Sequence, residues 1–175
     1  MPDLSAALDQ AWSQPDSRAS CSHFAWRVLR AWRPDQPWLN ANSLLAWMAR
    51  SPGLWVELPQ DDTARQVSLA SADRLILAGR PAPGHGHVVV VGPGPARPCA
   101  GGGGGRDGGR GASGHPGPPR PVAAPCWSTS LSRWPGATSR GDKTVRDPWS
   151  AADFQGVRFW LLADRGQADA GGAQP

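Results

Sequence analysis

The 175-residue chain has no tyrosine, only three cysteines and no apolar run approaching a membrane span. An odd number of cysteines does not fit a framework of paired disulfides, and without a Cys-x-x-Cys spacing a structural zinc site is not expected. No run comes near the ~18 apolar residues that cross a bilayer. The glycine run at 101–105 is not followed by Gly-Lys-Ser/Thr, so it does not indicate a phosphate loop. We expect no cofactor, no metal and no membrane partner.

A secretory signal is also missing at the start of the chain. Met1–Ser5 has no basic segment followed by an apolar run. We therefore expect the protein to be made in the cytoplasm, and any export to use a route that reads no N-terminal signal.

The net charge of +4 does not indicate nucleic-acid binding, because most of it lies in one segment. Residues 92–125 hold four Arg and one Asp, a net +3, which leaves +1 for the rest. No basic helix or basic–aromatic stripe occurs elsewhere, so we expect no nucleic-acid partner.

The same segment, 92–125, contains twelve Gly and eight Pro in 34 positions. Such a composition cannot bury enough apolar surface to offset the entropy lost on ordering. We expect a disordered Gly/Pro-rich insertion within a single domain of residues 1–163, followed by a disordered tail at 164–175.

A cysteine at the start of an amphipathic helix is the main feature that is present. Phe24, Val28 and Leu29 recur at helical spacing, and Ser20 is a candidate N-cap. Cys21 then lies in the first turn, where unpaired N–H groups and the helix dipole favour a thiolate.

Helical periodicity precedes strand patterns along the chain. Helices are predicted at 3–12, 21–33 and 40–50, with loops at 13–20 and 59–66. Strands are predicted at 54–58, 74–78, 87–91, 126–131 and 155–162, the second and third joined by a hairpin-like link. This order predicts an α+β fold with N-terminal helices packed on a small antiparallel sheet.

A nucleophilic cysteine needs a base, and His87, at the start of a run of four valines, is the candidate. His85 shares a face of the extended segment with His87, so alternation does not choose between them. We favour His87 because it adjoins the valine run. Taken singly, Cys21 is more often an inert buried thiol and His87 a structural histidine.

Six motifs occur in one order along the chain, and together they resemble a known family. They are Cys21-Ser22-His23-Phe24, Asn40-Ala41-Asn42, Leu75-Ile76-Leu77-Ala78-Gly79, Gly86-His87-Val88-Val89-Val90-Val91, Cys126-Trp127-Ser128, and Lys143-Thr144-Val145 with Trp149. The set resembles the first family of type VI secretion amidase effectors, compact members of the NlpC-type, papain-like peptidase superfamily. His23 and Asp73-Arg74 stand where the family pattern has glycine.

The resemblance implies a papain-like, NlpC-type fold and cleavage of the peptidoglycan stem peptide between γ-D-glutamate and the diamino acid. It makes Cys21 the nucleophile and His87 the base, and it assigns the third site position to Ser128. It further implies an interbacterial toxin that acts in the periplasm of the target cell. A cognate immunity protein and a secretion-machine component are the implied partners.

Two other functions fit the residues. A catalytically degenerate relative would bind wall fragments or a protein without cutting them. A cysteine hydrolase of another class, such as a deamidase or a transglutaminase-like enzyme, would act on protein.

Overall fold

The computed structural model describes residues 1–98, 127–128 and 144–164, with the backbone alone at 97–98 and 127–128. Its N-terminal part is helical. The helices are α1 (Leu4–Ser13), α2 (Pro15–Ala19), α3 (Cys21–Leu29) and α4 (Ala41–Ala49). The three predicted helices are confirmed as α1, α3 and α4, although α3 ends at Leu29 rather than Arg33.

Side-chain caps start these three helices. Asp3 accepts a hydrogen bond from the N–H of Ala6, and Ser20 accepts one from that of His23. Asn40 does the same for α4, accepting from the N–H of Ser43 at 2.9 Å. The capping residue at Ser20 was predicted correctly, and it fixes Cys21 as the first residue of α3.

The remaining elements form the sheet and its connections. They are β1 (Trp55–Leu58), α5 (Thr63–Ser71), β2 (Ile76–Arg80), β3 (His87–Val90), β4 (Arg97–Pro98), β5 (Trp127–Ser128), α6 (Ala151–Phe154) and β6 (Arg158–Leu162). Four strands make one antiparallel sheet in the order β1-β6-β2-β3. β4 and β5 pair separately, with Arg97 opposite Ser128. This arrangement is α+β, as predicted.

The apolar faces of α1, α3 and α4 and the strands of the larger sheet form one core, and α3 packs on β3. Its fully buried side chains include Phe24, Val28, Leu29, Leu44, Met48, Ile76, Leu77, Val88, Val90 and Phe159. Consequently the first turn of α3 is held next to the start of β3. Among the described residues, no helix has the length and apolar character needed to cross a bilayer.

Two loop predictions are wrong. The segment 13–20 contains α2, because Pro15 stands at the first helical position, where proline is well tolerated. The segment 59–66 contains the start of α5, which is capped by Asp62 and buries Gln66. Both helices have few large apolar residues.

Asp73 makes the turn just before β2. Its φ of 57° lies in the left-handed region, which aspartate tolerates better than most residues. Its carboxylate also accepts a hydrogen bond from the N–H of Leu4 at 2.9 Å. One side chain therefore both makes the turn and ties α1 to the sheet.

Several predictions fall partly or wholly outside the described residues. Within the expected insertion, the described part 92–98 includes β4, which pairs with β5. Residues 99–125, the tail from 165 onward, and both Cys99 and Cys126 lie outside the described part of the chain.

Candidate active site

Cys21 and His87 line the same cleft, which has a volume of about 490 Å³. α3 supplies the cysteine from its first turn, and β3 supplies the histidine from its first residue. Trp38, Asn42 and His85 line the cleft with them. The two residues that the sequence separates by more than sixty positions are therefore brought together by the packing of α3 on β3.

The Cys21 thiol lies against the strand that carries His87. Burial, the largest effect, raises the pKa of the Cys21 thiol above its ordinary value of 9.0. Backbone hydrogen bonds from Val88, Ser22 and Cys21 itself lower the pKa, but they do not outweigh burial. The fold therefore disfavours the thiolate that the helix start alone would favour.

His87 is also neutral at rest. Its imidazole meets the indole of Trp149 edge to face, with ring centroids 5.4 Å apart and an interplanar angle of 69°. Burial lowers the pKa of His87 from 6.5 to about 4. A neutral imidazole can accept a proton, so the pair suits general-base-assisted attack better than a preformed ion pair.

His85, the competing histidine, differs from His87 in exposure. It precedes β3 and is exposed, whereas His87 is half-buried. Its N–H donates to the carbonyl of Pro83 at 3.0 Å within the turn. The choice of His87 as the better-held candidate agrees with this geometry.

Ser128 lies in β5, opposite Arg97, in the small sheet that is separate from the strands carrying His87. Only its backbone is described. That its hydroxyl completes the site with Cys21 and His87 stays a prediction.

Three residues of this region were not singled out as site residues from the sequence. Trp149 covers His87. Trp38 lines the cleft and stacks on His23, with centroids 4.8 Å apart and planes 20° apart. Asn42 lines the cleft and contacts the chain segment before His87. Trp149 and Asn42 lay in motifs that resemble the family, and that was the only available signal.

A larger cavity of about 890 Å³ lies elsewhere, between the end of α3 and the ends of β2 and β6. Arg33, Arg74 and Asp164 are among its lining residues, with Trp32 and Leu54. Arg74 is paired with Asp164 at 3.1 Å. The described lining of this cavity has no cysteine or histidine, whereas the smaller cleft has both. No group of three or more His, Cys, Asp or Glu that could hold a metal ion occurs in residues 1–98, 127–128 and 144–164.

No protein-family model matches this chain, and no curated protein matches its sequence. The protein is α+β, and a half-buried cysteine and a half-buried histidine line one of its clefts.

Proposed function

We propose that this protein is a cysteine peptidase of the amidase type that hydrolyses the stem peptide of peptidoglycan. The single observation that carries the hydrolase assignment is the meeting of Cys21 and His87 in one cleft, with the thiol against the backbone of Val88. The substrate assignment rests on the ordered motifs that resemble type VI amidase effectors.

The proposed reaction begins with two neutral groups. His87 takes the thiol proton as the Cys21 sulfur attacks the amide carbonyl, because neither group is charged at rest. The Cys21 backbone N–H, at the first position of α3, helps to stabilise the oxyanion, since the first N–H groups of a helix have no acceptor within the helix.

Collapse of the tetrahedral intermediate then breaks the carbon–nitrogen bond. The His87 imidazolium gives its proton to the leaving amine, which leaves a thioester on Cys21. Water attacks the thioester with His87 as base, and the products are a carboxylic acid and the free thiol. Ser128 is proposed for the third position, to orient the imidazole. The bond proposed is that between γ-D-glutamate and the diamino acid.

The biological setting follows from the same resemblance. We place the enzyme as a toxin effector that is delivered into the periplasm of a target cell, with a cognate immunity protein protecting the producer. Co-expression with a neighbouring open reading frame, scored as restored growth of cells that express the protein in the periplasm, tests this setting separately from the chemistry.

Digestion of purified sacculi tests the chemistry. Wild-type protein should release stem-peptide fragments, and Cys21→Ala and His87→Ala should each lose at least about a hundredfold of the rate, as expected for a nucleophile and its base. His85→Ala should lose much less, because His85 is exposed and lies outside β3. Undiminished release by Cys21→Ala would end the assignment.

A binding module is the second candidate, and one observation favours it. Burial raises the pKa of Cys21 and lowers that of His87, so neither group is activated in the free protein. A module of this kind would hold wall fragments in the cleft without cutting them. Retention of muropeptides by wild-type protein with no new products after long incubation would select this candidate.

A further inference from the structure

The side chain of Asn42 makes a pair of hydrogen bonds to the connection between β2 and β3. Asn42 lies in the first turn of α4, and its Nδ2 donates to the carbonyl of Ala82 at 2.9 Å. The N–H of Ala82 donates in return to Asn42 Oδ1 at 3.2 Å. One amide thus satisfies both main-chain groups of a residue forty positions away, in the manner of a neighbouring strand.

Asn42 also contacts the same connection at its other end. A side-chain carbon added at Gly86 would collide with Asn42 Oδ1, so only a glycine allows this close approach. Gly86 immediately precedes His87. Asn42 therefore contacts the connection between β2 and β3 at two places, Ala82 and Gly86, and Gly86 is the residue before His87.

A second contact from α4 supports the same hairpin. A carbon added at Gly79, near the end of β2, would lie 2.7 Å from Leu45 Cδ2. Leu45 is one turn further along α4 than Asn42. α4 therefore packs closely on the hairpin at both Gly79 and Gly86.

We propose that Asn42 is a positioning residue, which sets the place of the His87 imidazole against Cys21 by fixing the β2–β3 connection. The role rests on the proposed function insofar as His87 acts as the base. Helix capping is not the role of Asn42, because Asn40 already caps α4. Direct contact with substrate is the competing role, since Asn42 also lines the cleft.

The test compares Asn42→Ala with Asp3→Ala. Asp3→Ala removes the exposed hydrogen bond between the Asp3 carboxylate and the N–H of Ala6, which caps α1. It is a matched control because it also removes a polar side chain, but one away from the cleft. With sacculi or a stem peptide, Asn42→Ala should lower kcat at least about tenfold with KM within about twofold, because small misplacements of a base are costly. Asp3→Ala should keep both constants within about twofold of wild type.

A second readout does not depend on catalysis. The His87 titration, followed by NMR and assigned with a His87→Gln variant, should move in Asn42→Ala from a pKa of about 4 toward 6.5, because a released connection admits water. It should stay in place in Asp3→Ala. If the wild-type protein cuts no wall peptide, the proposed function fails, and this titration alone decides the positioning role.

Gly86→Ala provides a second variant that displaces the Asn42 amide from the opposite side. It should reproduce both effects of Asn42→Ala, and it carries the test if Asn42→Ala does not fold. A rise in KM with unchanged kcat and unchanged titration would make Asn42 a substrate contact and overturn the proposal. The proposal would also be overturned if Asn42→Ala and Gly86→Ala both had the kcat and the His87 titration of wild type.

Discussion

The indole of Trp149 stands edge to face against the imidazole of His87, 5.4 Å between ring centroids, and helps to exclude water from it. The segment that carries Trp149 is tied to the hairpin of β2 and β3 by an ion pair between Arg80 and Asp153 at 2.7 Å. Asp153 is itself held by Ser150, whose hydroxyl donates to it at 2.7 Å. Residues 149–154, which precede β6, therefore affect the surroundings of His87 in β3.

Removal of the indole should therefore raise the pKa of His87. In Trp149→Ala the pKa should move from about 4 toward 6.5, because water reaches the ring and stabilises its charged form. Trp149→Phe should move it less, since a ring still covers the imidazole. NMR titration measures both values, and an unchanged pKa in Trp149→Ala would show that other groups bury His87.

The buried neutral imidazole should make stability depend on pH. The folded-state pKa of His87, about 4, lies below its ordinary value of 6.5, so between these values the unfolded chain binds more protons. The His87 contribution is present above about pH 6.5 and is lost as pH falls toward 4. This contribution to the free energy of unfolding is at most roughly 3 kcal/mol, since one unit of pKa shift corresponds to about 1.36 kcal/mol.

Urea unfolding of wild type and His87→Gln at pH 7.5 and pH 4.5 measures this loss. The wild type should lose more of its free energy of unfolding than the variant over this range, since all other titrating groups are shared. Equal losses in the two proteins would contradict a buried neutral His87.

The raised pKa of Cys21 predicts slow alkylation at neutral pH. Because only the thiolate reacts, iodoacetamide should modify Cys21 more slowly than it modifies free cysteine at pH 7.5, and the rate should still be rising above pH 9. Mass spectrometry of the peptide that contains Cys21 separates it from Cys99 and Cys126. A rate plateau below pH 8 would show a preformed thiolate instead.

Trp38 should act on substrate binding rather than on stability. Its side chain is 44% exposed, yet it lines the cleft and stacks on His23. Trp38→Ala should raise KM about two- to tenfold, as the loss of one aromatic contact would, with a small change in kcat. Trp38→Phe should recover part of the loss. A fall in kcat with constant KM would place Trp38 in the support of the site instead.

The parts predicted correctly from the sequence depend on local patterns. Ser20 before an apolar repeat located the start of α3, and the valine run after His87 located β3. The contexts of Cys21 and His87, a helix start and a buried strand, allow them to face each other in a two-layer fold, and in the structure both line one cleft. The helices α2 and α5 were missed, because a segment with few large apolar residues resembles a loop in sequence.

The parts that were not predicted depend on contacts between distant segments. The sequence shows Asn42 only as part of the Asn40-Ala41-Asn42 motif, and only the folded chain shows that it reaches Ala82. The raised pKa of Cys21 likewise depends on segments far from it in sequence. A helix start favours a thiolate locally, but burial under the rest of the fold outweighs it.

The central claim is that Cys21 forms a thioester with the γ-D-glutamyl carbonyl of a stem peptide. The most direct measurement is mass spectrometry of a synthetic L-alanyl-γ-D-glutamyl-diaminopimelyl peptide incubated with wild-type protein or with Cys21→Ala. We predict that wild type yields L-alanyl-γ-D-glutamate and a peptide with a new amine at the diamino acid, and that Cys21→Ala yields neither. Equal yields from the two proteins, or cleavage at a different bond, would contradict the account.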